Sequence, residues 1–229
     1  MSTPIVAEAL ARAVDRARAA ALPPPLRSTL ESLLIDIGGL CVAARRESYV
    51  RAAIDSWEAN GESTVIGHGR ALDSAGAAFV NGTAAHGEDF DDTFEGGPVH
   101  SGVVIVPALL AAAERHRIAG RDLAFGIAVG VEVMCRASLV APKRIHQAGF
   151  HPTAVLGAMG ASKARRANAS HAPARSASQP PCAQLARNFS SMSPRESGSL
   201  RPPRRCGWRS SIQLPSAKRT RTWPVYSSG

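Results

Sequence analysis

Aromatic side chains are scarce: Phe, Trp and Tyr make up 5% of the 229 residues. Cysteine is scarcer. Cys41, Cys135, Cys182 and Cys206 lie far apart with no CxxC pair, which argues against a zinc knuckle or a disulfide-stapled scaffold. Long apolar runs are also missing. The longest, Val103 to Ala113, is about half of the roughly 20 residues that a spanning helix needs. At the N-terminus Glu8, Arg12, Asp15 and Arg16 stand at helical spacing where a signal peptide would carry its apolar stretch. A cytoplasmic protein with no membrane partner is expected.

Lysine occurs only at 143, 163 and 218, and acids almost vanish from the last part of the chain. Residues 1–163 hold 15 Lys and Arg against 17 Asp and Glu; residues 164–229 hold 12 against Glu196 alone. The net charge of +9 therefore belongs to the final stretch. That stretch contains 13 Ser, 11 Arg and 8 Pro but only six Val, Ile, Leu or Phe. Such a composition buries too little apolar surface to offset the entropy lost on ordering. The expected division is a helical domain over 1–163 and a disordered Arg/Ser/Pro-rich tail over 164–229. Tails of this kind bind phosphate backbones non-specifically, and Trp208, Trp223 and Tyr226 would add stacking. The basic residues are scattered, however, so nucleic acid is not the expected partner.

What is present is helical periodicity. Residues 4–21 form an amphipathic pattern with Val6, Leu10 and Val14 on one face, stopped by Pro23-Pro24-Pro25. Ser28 and Glu31 have capping-box spacing. They precede Leu30, Leu33, Leu34, Ile37, Leu40 and Cys41, an i, i+3, i+4, i+7 stripe interrupted by Gly38-Gly39. Further helices are expected over 48–59, 72–90 and 103–117, the last with Pro107 in its first turn. Asp122 is placed to cap the next helix, whose stripe is Ile127, Gly130, Val131, Met134 and Cys135. Ser63 to Ile66 is short and β-branched, a small strand or an extended turn. Gly157 and Gly160 follow no strand, so helix packing explains them better than a nucleotide loop. The fold class expected is all-α with close, small-residue packing.

The densest polar cluster is His86-Gly-Glu88-Asp89-Phe-Asp91-Asp92-Thr93, followed by His100-Ser101-Gly102. On a continuous helix His86, Asp89 and Thr93 would share a face, and the loop of residues 91–102 would return His100 to that helix end. A carboxylate beside an imidazole fixes its tautomer and holds a proton near neutral pH. An acidic run at a helix end is also what solvated surface looks like. A second candidate is Gly149-Phe150-His151-Pro152-Thr153, although a lone His of this kind is often a capping residue. A third reading is a metal-dependent all-α enzyme. Asp91-Asp92 with Glu95 resembles the aspartate-rich motif of prenyl-chain enzymes, with His86, Glu88, Asp89 and His100 as a ligand set.

The blocks from Asn81 to Thr93, from His100 to Gly102, and from Gly149 through Val155-Leu-Gly-Ala-Met-Gly160 together resemble the MmgE/PrpD family, over about residues 5–163. The family includes 2-methylcitrate dehydratase and cis-aconitate decarboxylase. The resemblance implies a large all-α domain with a smaller α/β lid, usually a homodimer, acting on a small-molecule tricarboxylate without metal or organic cofactor. It implies His100 as proton carrier, with Asp89 orienting a neighbouring His or holding a substrate hydroxyl. Thr93 and Ser101 would bind substrate, and His151 would bind a carboxylate or share proton transfer. None of the three lysines stands in the family's downstream lysine motif, and no lid sequence follows. The expectation is an incomplete helical domain with the lid absent, a carbon–oxygen lyase by family but impaired or inactive. The text after Lys163 resembles a GC-rich gene read out of frame, which yields Arg, Pro, Ser and Ala.

Overall fold

The computed structural model describes residues 6–18 and 21–169. The basic stretch after Ala169, with its expected disorder, its nucleic-acid reading and its frame-shift reading, lies outside the described residues. In chain order the elements are α1 (Val6–Arg18), α2 (Pro24–Ala44), α3 (Ser48–Asp55), β1 (Asn60–Thr64), β2 (Ala71–Leu72), α4 (Ser74–His86), α5 (Gly102–His116), α6 (Gly120–Ser138), α7 (Arg144–Gln147) and α8 (Pro152–Ala169). Helix α8 passes through Lys163 without a break.

The architecture is mostly helical, with one two-stranded antiparallel sheet, β1 against β2. "All-α" is therefore corrected by a hairpin, which turns through Gly67, at φ 84°. The hairpin is held by polar anchors. Asn81, buried on α4, accepts from Ile66 N at 2.8 Å and donates to Thr64 O at 2.9 Å. Glu114 on α5 accepts from Thr64 N and Thr64 Oγ1 at 2.7 and 2.6 Å. Side chains on two helices thus supply hydrogen bonds that such short strands lack.

Helix α5 is the centre. Val103, Ile105, Val106, Leu109, Leu110 and Ala113 are buried, and α2, α4, α6 and α8 all pack on it. A helix apolar on nearly every side is the signature of a core helix. The α2 stripe is buried at Leu30, Leu33, Ile37 and Cys41, and the α6 stripe at Ile127, Gly130, Val131, Met134 and Cys135. Cys41 and Cys135 are free, and burial pushes both thiols up to about 12. The expected small-residue packing lies between α5, α6 and α8. A Cβ on Gly130 would stand 2.7 Å from Ile105 Cγ2 and 2.9 Å from Ala164 Cβ.

Several local expectations are overturned by the chemistry of the helix ends. Pro24 begins α2, because Pro suits a first helical turn. Ser28 and Glu31 therefore sit inside the helix rather than capping it. Pro107 lies six residues into α5, and its missing N–H leaves Val103 O without its i+4 donor. Asp122 is in the first turn of α6, not at its N-cap, which is Ala119. Helix α3 stops at Asp55. Helix α4 is shorter than expected at both ends. Asp73 caps it, accepting from Gly76 N at 2.7 Å and from Trp57 Nε1 at 3.0 Å, and it ends at His86.

Two glycines should respond oppositely to alanine. Gly130→Ala should destabilise by about 1–3 kcal/mol through overpacking. Gly39, in the exposed interior of α2, has nothing within 4 Å of a built Cβ, so Gly39→Ala should stabilise by about 0.5–1 kcal/mol. Urea denaturation of both variants checks the pair; equal signs would refute the packing assignment.

Candidate active site

The chain leaves α4 through a tight turn. Asp89 N donates to His86 O at 3.0 Å, and Asp89 adopts φ 55°, a left-handed conformation that Asp tolerates better than most residues. His86, Asp89 and Thr93 therefore do not share a helical face as expected; a turn and an extended segment bring them together. Successive side chains of an extended segment point opposite ways, and the neighbouring aspartates separate accordingly. Asp91 goes to the imidazoles, while Asp92 reaches the start of α5. The chain returns through a loop closed by Phe94 N donating to Val99 O at 3.0 Å, which delivers His100.

Asp91 has a side chain with no exposed surface, lying between two imidazoles. A carboxylate only accepts, so His86 Nδ1–H donates to Asp91 Oδ1 at 3.0 Å. His100 Nδ1 lies 3.0 Å from Asp91 Oδ2. This second approach is an ion-pair contact rather than an aligned hydrogen bond, since Oδ2 is buried without a hydrogen-bond partner. Thr93 Oγ1 stands 3.4 Å from the same His100 nitrogen. Asp89 Oδ1 is 3.8 Å from His100 Nε2, on a side chain that is 77% exposed. His151 closes the group, its ring centroid 5.9 Å from that of His100 and 6.0 Å from that of His86. Buried Thr153, on the first turn of α8, accepts from His100 N at 3.0 Å, tying the two segments together.

Of the residues expected at the site, Asp89, Thr93, His100 and His151 converge. Ser101 points elsewhere: it is buried and donates to Asp92 Oδ2 at 2.9 Å. Asp92 also accepts from Gly102 N at 2.8 Å. A Cβ at Gly102 would run into Asp92 Oδ1, so glycine is required for that approach. Asp92 thus serves the start of α5, not the imidazoles.

The electrostatics separate the three imidazoles. The Asp91 carboxylate holds His86 and His100 above the ordinary histidine range, against the opposing effect of burial. Burial pushes Asp91 up, but the bonds and charges of His100 and His86 more than reverse this and leave it low. His151 is lowered, by burial first and then by the positive charges of His100, His86 and His146. Imidazoles biased toward the charged form therefore stand beside one biased toward the neutral form, an arrangement suited to acid–base chemistry.

A metal reading fits less well. His86, Asp89, Asp91 and His100 each offer an atom within 4.8 Å of the others. However, the Asp91 charge is already matched by imidazole nitrogens 3.0 Å from both of its oxygens, so its burial needs no cation. Glu88 is turned outward and accepts from Tyr49 Oη at 3.0 Å. Asp92 is committed to α5. Sequence reasoning placed His86 in the polar cluster but gave it no separate catalytic part, and gave Asp91 none outside the metal reading. The period-two spacing of Asp89, Asp91 and Thr93 was the available signal.

The sequence that builds these helices and this imidazole–carboxylate cluster matches the model of the MmgE/PrpD N-terminal domain over residues 8–170. The chain belongs to the MmgE/PrpD family. It is 41% identical to cis-aconitate decarboxylase of Homo sapiens over 98 residues, covering 38% of this chain and 19% of that protein. It is 31% identical to cis-aconitate decarboxylase of Aspergillus terreus over 147 residues, 60% of this chain and 30% of that protein. It is 34% identical to the cis-aconitate decarboxylase-like protein oryM of Aspergillus oryzae over 120 residues, 49% of this chain and 25% of that protein. The matches thus cover between 19% and 30% of these relatives' lengths.

Asp92 makes a pH-dependent prediction. Burial raises its pKa from 3.8 to about 6, so between these values the folded state binds more protons than the unfolded state. Stability contributed by this group falls as pH rises through that window. Asp92→Asn keeps an acceptor for Gly102 N without the charge. It should be more stable than the parent at about pH 7 and lose that advantage near about pH 4, measured by denaturant melts.

Proposed function

We propose that the chain carries part of a lyase pocket for a citrate-like tricarboxylate, working without metal or organic cofactor. The observation that supports this most is the carboxylate-held His100 facing the lowered His151. The names of the relatives favour decarboxylation of cis-aconitate over dehydration of 2-methylcitrate. In that reaction the C–C bond to one carboxylate breaks and CO2 leaves. The electron pair is delocalised into the remaining conjugated carboxylate, and protonation on carbon completes the step. His100, in its imidazolium form, is the proton donor. His151 and Thr93 bind substrate carboxylates, and Asp89 steadies the charged form of His100.

A substrate with three negative charges needs several cationic partners close by. Among the described residues, the groups in the cluster biased toward positive charge are the imidazoles of His86 and His100 alone. Weak binding with little turnover is therefore the expected behaviour. Assembly as a homodimer and a cytoplasmic location complete the proposal. No helix among the described residues is long and apolar enough to cross a membrane.

The test is addition of cis-aconitate to the full chain, followed by histidine NMR signals and CO2 release. Millimolar ligand should shift His100 and His151, and His100→Gln or His151→Gln should weaken binding about tenfold, or about 1.4 kcal/mol. Unmoved histidine signals would overturn the assignment.

A further inference from the structure

The mechanism above uses His100 and leaves His86 idle, although the structure gives both rings the same partner. Each presents Nδ1 to one oxygen of Asp91 at 3.0 Å, and their centroids are 4.9 Å apart. We infer that His86 and His100 share a single proton charge over Asp91, so that His86 takes up a proton from water as His100 gives one to substrate. This rests on reading the pocket as a proton-transfer site.

The argument is one of charge and access. Asp91 has a single negative charge and no exposed surface. One imidazolium neutralises it. A second would place two positive charges within van der Waals reach of each other, at a site where burial weakens screening. The first proton is therefore favoured and the second opposed. His86 and His100 must titrate as a coupled pair with two macroscopic steps, not as two independent rings.

Exposure assigns the roles. The His86 side chain is 36% exposed and that of His100 is 13%. The more open ring exchanges with solvent and the more enclosed one faces substrate. With Nδ1 of each ring facing Asp91 at 3.0 Å, Nε2 is the nitrogen left to carry the exchangeable proton. Decarboxylation with protonation on carbon consumes one proton per turnover. His100 loses that proton from Nε2 and becomes neutral. The repulsion on His86 is relieved, and His86 Nε2 takes one proton from solution, returning the cluster to zero net charge; on reset His86 gives that proton back to water and His100 Nε2 takes one up, so each turnover consumes one solvent proton. Asp91 is a positioning residue for both rings and is not itself protonated.

Other charged groups bear on the pair. Asp89 favours the charged form of both rings, and Asp92 that of His100. His151 repels from the start of α8, with His146 of α7 beside it. Asp36 of α2 feels the Asp91 charge across the pocket. None of these is within hydrogen-bond distance of both rings, as Asp91 is.

Nitrogen-15 NMR of the histidines in the full chain, from about pH 5 to about pH 9, tests this without substrate. His86 and His100 should each show two inflections. His100→Gln should leave His86 with one step at a higher midpoint, and His86→Gln should leave His100 with one step. Asp91→Asn should bring both midpoints down to or below the ordinary value of about 6.5. Single-step curves in the parent that ignore the partner's replacement would overturn the inference. His86 is half-exposed, so His86→Gln remains informative if Asp91→Asn fails to fold. Failure of cis-aconitate to bind would leave these titrations unchanged, so the two readings fail separately.

Discussion

A carboxylate withdrawn completely from water is costly unless its charge is matched, and Asp91 is such a group. Two imidazoles match it, and much of the local structure follows from bringing them there. The left-handed turn at Asp89 carries the chain from His86 back beneath its own helix end. The bridge from Phe94 to Val99 returns it to His100. The Thr153 hydroxyl fixes the backbone of His100 against the start of α8. Removing both imidazoles would leave a buried charge uncompensated, which ties the integrity of this end of the fold to the histidine cluster.

The two adjacent aspartates show how one residue type serves two purposes within 3.8 Å of backbone. Asp91 faces positive charge and stays ionised. Asp92 faces the N–H of Gly102 and the Ser101 hydroxyl, and burial brings its pKa up toward neutrality. An aspartate-rich motif on paper is, in three dimensions, one electrostatic group and one helix-end acceptor. The same applies to Asn81 in the neighbouring block. It looks like part of a polar site, yet it is consumed by the hairpin, where it satisfies Ile66 and Thr64.

The helical stripes of α2, α5 and α6 were legible in the sequence because apolar periodicity reports burial directly. Asp89, Thr93, His100 and His151 were legible through the family blocks. Less visible were the ends of elements. Pro24 and Asp73 decide where α2 and α4 begin, and Asp73 also takes a bond from Trp57, a partner that only the fold supplies. The roles of His86 and Asp91 were hidden because helical spacing was extended past His86, whereas Asp89 breaks the helix. The placement of Ser101 could not be read, since its partner Asp92 becomes one only when the loop closes.

The closed loop between Phe94 and Val99 also bears on the order in which the pocket forms. His86, Asp91 and His100 lie within fifteen consecutive residues, so their encounter costs little loop-closure entropy and contributes little to contact order. His151 stands fifty-one positions further on and joins only when α6 and α8 have docked on α5. The Asp91-centred histidine pair is thus a local device that can assemble early on the folding chain, while His151 arrives with the long-range packing that completes the core.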